Sequence, residues 1–310
     1  MAQISASMVK ELREKTGAGM MDAKKALVET DGDIEGAVDW LRQKGLAKAA
    51  KKSGRTAAEG LVAVAISEDE KRGIALEVNA ETDFVARNAQ FQEFVKSLTE
   101  LSLEKGITDA DTLKNTQMEN GKSVADTLTE LIATIGENMT IRRLAALEVQ
   151  NGFIAKYIHN AEAENMGKIG VMAAFESTGD VNAVRETGRK IAMHIAAVKP
   201  EFLNRDDVTG EALEREKNIL REQAKDSGKP AEIIEKMIEG RLRKYYEEVC
   251  LLEQTFVIDG ESKISQVVEQ MGKDAGAEIR LTGYENIILG AGIEVEEENF
   301  ADEVARTVNG

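Results

Sequence analysis

The stretch Ala75-Leu-Glu-Val-Asn-Ala-Glu-Thr-Asp-Phe-Val-Ala-Arg-Asn-Ala-Gln-Phe-Gln-Glu-Phe94 changes its hydrophobic period part-way along. Leu76 and Val78 alternate with Glu77 and Asn79, the period of two that a half-buried strand shows. From Asp83 onward Phe84, Phe91, Phe94 and Val95 recur at helical spacing. The pattern predicts a strand that turns directly into a helix near Thr82. Thr82 and Asp83 are both residue types whose side-chain oxygen accepts a bond from the free amides of a first helical turn. An aromatic at such a corner, Phe84, is either buried as a staple or projects outward as a wedge. The residues alone leave both open.

Composition bounds the possibilities. The chain has 310 residues, 42% of them hydrophobic, enough for two or three domains with cores of their own. Asp and Glu number 56 against 40 Lys and Arg, a net charge of −16, which argues against wrapping a phosphate backbone and favours a protein partner with basic patches. One cysteine, Cys250, excludes an internal disulfide framework and a four-cysteine zinc site within one chain. The opening Met-Ala-Gln-Ile-Ser lacks a charged region followed by an apolar core, and no run approaches the roughly 18 apolar residues of a membrane span. The expectation is a cytoplasmic protein without membrane contact.

The fold class read from the periodicities is α+β. Residues 1–55 form a unit of three short helices and a basic linker. Ser7 is placed to cap the first helix; Ile34, Ala37, Val38 and Leu41 mark one face of the third, which Gly45 is expected to stop. Arg42, Lys44, Lys48, Lys51, Lys52 and Arg55 follow without an acid between them, as a steering linker or a solvated helix end. Residues 56–150 carry a hairpin (61–66 and 73–79), the helix after Thr82, a helical stripe at Leu128, Leu131, Ile132 and Ile135, and a strand from 139 to 149. Residues 151–290 repeat the order hairpin then helix, with strands at 153–159, 168–175, 252–258 and 279–288. Two related antiparallel-sheet-plus-helix subdomains are expected. A helical hairpin is inserted at about 205–250, with Ser227-Gly228-Lys229-Pro230 as its turn. Residues 291–310 add a C-terminal helix, with Phe300, Val304 and Val308 on one face.

Four motifs, in order along most of the chain, resemble those of the translation elongation factor Ts family, the nucleotide-exchange partner of elongation factor Tu. They are Leu12-Arg13-Glu14-Lys15-Thr16-Gly17-Ala18-Gly19-Met20-Met21-Asp22, Thr82-Asp83-Phe84-Val85-Ala86-Arg87-Asn88, Ile135-Gly136-Glu137-Asn138 with Ile141-Arg142-Arg143, and His194-Ile195-Ala196-Ala197 with Lys199-Pro200. The resemblance implies a ubiquitin-associated-like first domain, a protruding coiled coil in the inserted hairpin that can pair two copies, and a C-terminal module that lies on the partner. It implies no catalytic residue, no cofactor and no enzymatic bond chemistry. By the same resemblance Thr82, Asp83, Phe84 and Val85 act near the magnesium site of elongation factor Tu, with Arg13, Met20, Met21, Lys24, Ile135, Gly136 and His159 as supporting contacts. Without it, at least one of Met20 and Met21 simply closes a small core, and His159 is an ordinary strand histidine.

Competing chemistry is thin. Gly121-Lys122-Ser123 matches only the end of a phosphate loop, since Thr116 stands where the first glycine belongs. Gly17-Gly19 and Gly290-Gly292 lack the third glycine of a dinucleotide fingerprint. Cys250 lies in an apolar run and reads as buried; a cysteine hydrolase and a nucleic-acid adaptor using residues 42–55 are the alternatives from other classes. The extra polar residues between Glu100 and Ser123 are expected to extend a surface loop. The Glu294-Val295-Glu296-Glu297-Glu298 run reads as solvated charge.

Overall fold

The computed structural model describes residues 4–16, 18–225 and 231–294. The expected C-terminal helix, most of the acidic run and the Ser227–Pro230 turn lie outside the described residues.

Three helices come first, α1 (Ala6–Thr16), α2 (Met20–Glu29) and α3 (Ile34–Lys52). Leu12, Ala23, Ala26, Leu27 and Ala37 close a small core between them, flanked by Ile34, Val38 and Leu41. The first helix begins two residues earlier than a cap at Ser7 implies, with the Ser5 hydroxyl accepting from Met8 N–H at 3.3 Å. Gly45 does not stop α3. Helix propensity alone disfavours glycine by about 1 kcal/mol, but here the missing side chain is what permits contact. A Cβ on Gly45 stands 3.3 Å from Ala133, so α3 runs on to Lys52 against a helix of the main body. The basic run is therefore helix from Arg42 to Lys52, and Arg55 follows in the turn after it.

The strands β1 (Glu59–Ile66) and β2 (Arg72–Ala80) form the first hairpin. They are followed by α4 (Asp83–Ala86), α5 (Ala89–Lys105), α6 (Ala110–Asn115), α7 (Val124–Ile135) and β3 (Met139–Glu148). The segment 100–123 is not an extended loop. It completes α5 and adds α6, whose Leu113 is fully buried near Ile107 and Val124, with Leu101, Ala110 and Met118 packed against the same core. The second hairpin, β4 (Gly152–Ala163) and β5 (Met166–Ser177), leads to α8 (Arg185–Val198). Two long helices follow, α9 (Gly210–Lys225) and α10 (Ala231–Val249), and then α11 (Ile264–Ala275) and β6 (Ile279–Ile288). No strand forms at 252–258. Leu251–Glu253 is a 3₁₀ turn and Val257–Asp259 a turn, because this segment closes the base of the α9–α10 hairpin: the Leu251 and Leu252 amides bond back to Phe202 and Leu203.

Among the described residues the strands make one antiparallel sheet in the order β3-β2-β1-β5-β4, with β6 also on β5. The join between its halves is short, Val62 to Gly167 and Ala63 to Met166. Beyond that join the halves fold face to face. Val62, Val64 and Ala75 pack against Ile154, Met172, Ala174 and Ile287, while Leu61, Ala63, Leu76 and Val78 face α4, α5 and α7, and Phe153, Val171 and Phe175 face α8 and α11. A Cβ on Gly170 would lie 2.7 Å from Val62, so glycine is required where the halves approach. No helix among the described residues is long and apolar enough to cross a membrane.

This double-sided packing overturns the half-buried reading of β2. Glu77 and Asn79 are fully buried, an arrangement tolerated because Glu77 is paired. Between Glu77 and Val78 the β2–β3 register skips a residue, so that Arg142 and Arg143 both meet one carboxylate, at 2.9 and 2.6 Å. Asn79 and the Gly290 amide donate to the same group, and the guanidiniums continue to the Ala291 and Ile288 carbonyls. Burial pushes the Glu77 carboxyl up, yet the Gly290 amide, Asn79 and the two arginines together outweigh it and hold it below its ordinary value. A depressed carboxyl contributes stability that is complete above its unfolded value and lost as pH falls through the folded one. Glu77→Gln, which leaves two partly exposed arginines without their carboxylate, should therefore cost about 2–3 kcal/mol in urea unfolding at pH 7, with the gap to wild type narrowing once the pH drops below about 4.5.

Candidate functional site

At the end of β2 the chain bends outward. Thr82 is extended (φ −128°, ψ 159°) and occupies the N-cap position of α4, but its side chain does not cap. Its hydroxyl donates instead to Glu137 Oε1 at 2.7 Å, and its N–H donates to Glu137 Oε2 at 2.9 Å. The single helix expected from Asp83 is broken. α4 is one turn, and Asn88 starts α5 afresh by accepting from the Gln90 and Phe91 amides at 2.9 and 3.2 Å. Splitting the helix reorients its faces: Val85, Ala86, Phe91 and Phe94 are buried, while Phe84 is 77% exposed. The ring projects into solvent and is no staple. Asp83 beside it is also exposed.

The Ile135–Asn138 motif comes to the same corner. Gly136 ends α7 in the left-handed region at φ 94°, a position that favours glycine, and half-buried Ile135 precedes it. Asn138 N–H donates to Glu81 Oε1, and its side-chain amide to the Arg55 carbonyl at 2.7 Å. Glu81 also meets Arg55 at 3.4 Å, and Lys52 donates to the Gly136 carbonyl. The far end of α3 is thus pinned beside the Phe84 corner. Arg87 reaches Glu162 near the tip of β4 at 3.3 Å. On that strand His159 is exposed, its Nδ1 3.1 Å from the Tyr157 hydroxyl.

Arg13, Met20, Met21 and Lys24 lie apart from this corner, on α1 and α2. Met20 and Met21 are 61% and 75% exposed, so neither closes the small core; Lys24 is exposed as well, and Arg13 donates to the Ala18 carbonyl at 3.3 Å. Nothing in the sequence pattern assigns a role to Glu81 or Glu137, and Lys52 and Arg55, read there only as part of a basic run, are bonded at this corner instead. Glu137 stands inside one of the four motifs, but its partner is 55 residues away, a pairing that no local pattern announces.

A family model described as Elongation factor TS matches residues 81–290. Elongation factor Ts of Paramagnetospirillum magneticum is 60% identical over 306 residues, covering 98% of this chain and 97% of the relative. That of Rhodospirillum centenum is 58% identical, with 98% and 99% covered, and that of Magnetococcus marinus 55% identical, with 99% of each covered. The chain belongs to the elongation factor Ts family. It is accordingly a translation elongation factor, and the matched region opens at Glu81, the first residue of the Phe84 corner.

Cys250, His194 and Lys122, the residues that the competing chemistries would use, are otherwise engaged in this family member. Cys250 is fully buried, and burial pushes its thiol up to about 11. The buried His194 bonds Gln254 at 2.9 Å and accepts from the Val257 amide at 3.3 Å, so Nε2 carries the proton; burial lowers its pKa. Lys122, in the partial phosphate-loop sequence, pairs with Glu130 at 2.7 Å. It lines a cleft of about 390 Å³ between α3 and α7 whose charges are of both signs, among them Lys44, Asp126 and Glu130, a poor match for a phosphate. Cys250 should resist iodoacetamide at pH 7 in the folded protein and react after denaturation in urea. Rapid labelling of the native chain would revive the hydrolase alternative.

Proposed function

We propose that this chain is a guanine-nucleotide exchange factor: it binds elongation factor Tu carrying GDP and speeds GDP release, so that GTP can load during elongation in the cytoplasm. The observation that carries the reading is the exposed Phe84 ring on a corner whose next two residues are buried. An apolar ring held outside by a buried anchor is built to enter another surface. Phe84, with Asp83 beside it, enters near the magnesium site of elongation factor Tu, while Thr82 and Val85 fix the corner. Magnesium bridges nucleotide phosphates, so disturbing its supports loosens GDP without competing for the same space. By linkage, nucleotide loosens the factor by the same ratio. No bond is made or broken by this chain, which acts as a binding protein rather than an enzyme and needs no cofactor of its own.

Magnitudes limit what one ring does. A ten-thousandfold weakening, taken for illustration, requires about 5.5 kcal/mol of differential binding, against roughly 1.5–3 kcal/mol for fully burying a Phe. The remainder is assigned to Arg13, Met20, Met21 and Lys24 on the three-helix unit, to Ile135 and Gly136, and to His159. The excess of acids over bases in the chain favours this protein partner over nucleic acid. The α9–α10 hairpin is read as a surface for a second copy: Ile219 and Ile233 are 45% and 47% exposed on it, although Leu220 and Ile238 are buried.

Phe84→Ala should leave the thermal midpoint within a few degrees of wild type and slow the release of fluorescent GDP from elongation factor Tu by at least about tenfold. Equal rates for the two proteins would remove the wedge from the mechanism. The base of the hairpin is closed by the Glu201 and Phe202 amides on the Val249 carbonyl, at 2.9 and 3.0 Å, so residues 205–246 are removable. Their deletion should lower self-association in ultracentrifugation and spare binding of one elongation factor Tu; an unchanged mass would exclude the hairpin as the pairing surface.

A further inference from the structure

The geometry points to Glu137 as a positioning residue for the Phe84 ring, an inference that rests on the wedge reading of the proposed function. α4 is a single turn and cannot hold its own direction. The chain entering it is fixed at Thr82, both of whose donors go to one carboxylate. Two charge-assisted bonds to the two oxygens of a single group set rotation as well as distance. Glu137 is itself held, because the segments exchange carboxylates. Glu137 binds Thr82 from the turn, and Glu81 binds the Asn138 amide from the strand end. The second oxygen of Glu81 meets Arg55, while Asn138 and Gly136 take the Arg55 carbonyl and the Lys52 ammonium as partners.

The result is a clasp of two carboxylates around three segments: the strand end, the turn after α7, and the residues that close α3. It presents the Phe84 ring in one fixed geometry relative to the helix unit that carries Met20 and Met21. A pre-set arrangement of two contact surfaces avoids ordering them at the moment of association. Without Glu137 the ring remains exposed and the distant contacts remain intact, but the ring arrives in the productive direction less often. The maximal rate then falls while the half-saturating concentration changes little.

The test uses the full chain and fluorescent GDP release from elongation factor Tu, with the factor concentration varied to separate maximal rate from half-saturation. Hydrogen exchange of the amides in residues 81–84 is measured beside it. Glu137→Ala should lower the maximal rate about tenfold, move half-saturation less than about twofold and raise amide exchange at Thr82 by about tenfold or more. Glu137→Gln, whose amide can accept from the Thr82 N–H and donate to its Oγ, should recover most of the rate. A wild-type maximal rate in Glu137→Ala overturns the inference, as does a Glu137→Gln protein that is as slow as Glu137→Ala. Should Glu137→Ala not fold, Thr82→Val decides. Loss of the hydroxyl bond alone should slow the maximal rate about threefold, and no slowing overturns the assignment. Phe84→Ala runs as the control for the underlying reading. If it exchanges GDP as fast as wild type, the wedge has failed, and Thr82 amide protection alone then judges whether Glu137 fixes the corner.

Discussion

One carboxylate decides where the chain points at the end of its most buried strand. β2 is enclosed on both faces, by the α4, α5 and α7 side and by the other half of the sheet, and nothing in such a strand directs its continuation outward. The Glu137 oxygens do so by taking the N–H and the hydroxyl of Thr82 together. Val85 and Ala86 then return to the core while the ring between Asp83 and Val85 is left outside. Exposure of a large apolar ring is unfavourable in the free chain. A binding protein recovers that cost on association.

A second buried carboxylate sustains the same strand from within. Glu77 would be costly if unpaired, and the register skip opposite it supplies two arginines where a regular ladder would supply one. Those arginines reach past β3 to the carbonyls of Ile288 and Ala291. The strand that carries the corner, the neighbouring strand and the end of β6 are therefore tied at a single charge. The Phe84 corner inherits its rigidity from this tie at one end and from the Glu81–Glu137 clasp at the other.

Much of this is legible in the residues, and what is not has identifiable causes. The hairpins, α7, α8, the long helix pair and the corner near Thr82 follow from period and turn chemistry. The half-buried reading of β2 fails because an alternation of apolar and polar residues looks the same whether the polar ones face water or a buried ion pair. Gly45 reads as a stop because local propensity does not see Ala133 across the interface. The stretch 252–258 forms turns because its amides are taken elsewhere, that of Leu252 by Leu203 at the hairpin base and that of Val257 by His194. At the site, Phe84, Gly136 and Glu137 stand within the family motifs, but the clasp joins residues 26 to 84 apart and is a property of the fold.

The most direct test of the central claim, that the exposed ring enters the partner beside its nucleotide, is photo-crosslinking. A benzophenone amino acid at position 84 should join this chain to a segment of elongation factor Tu that borders its GDP pocket, whereas the same group at position 90, also exposed but past the corner, should not. A stable complex that forms without any cross-link from position 84 to elongation factor Tu would contradict the account.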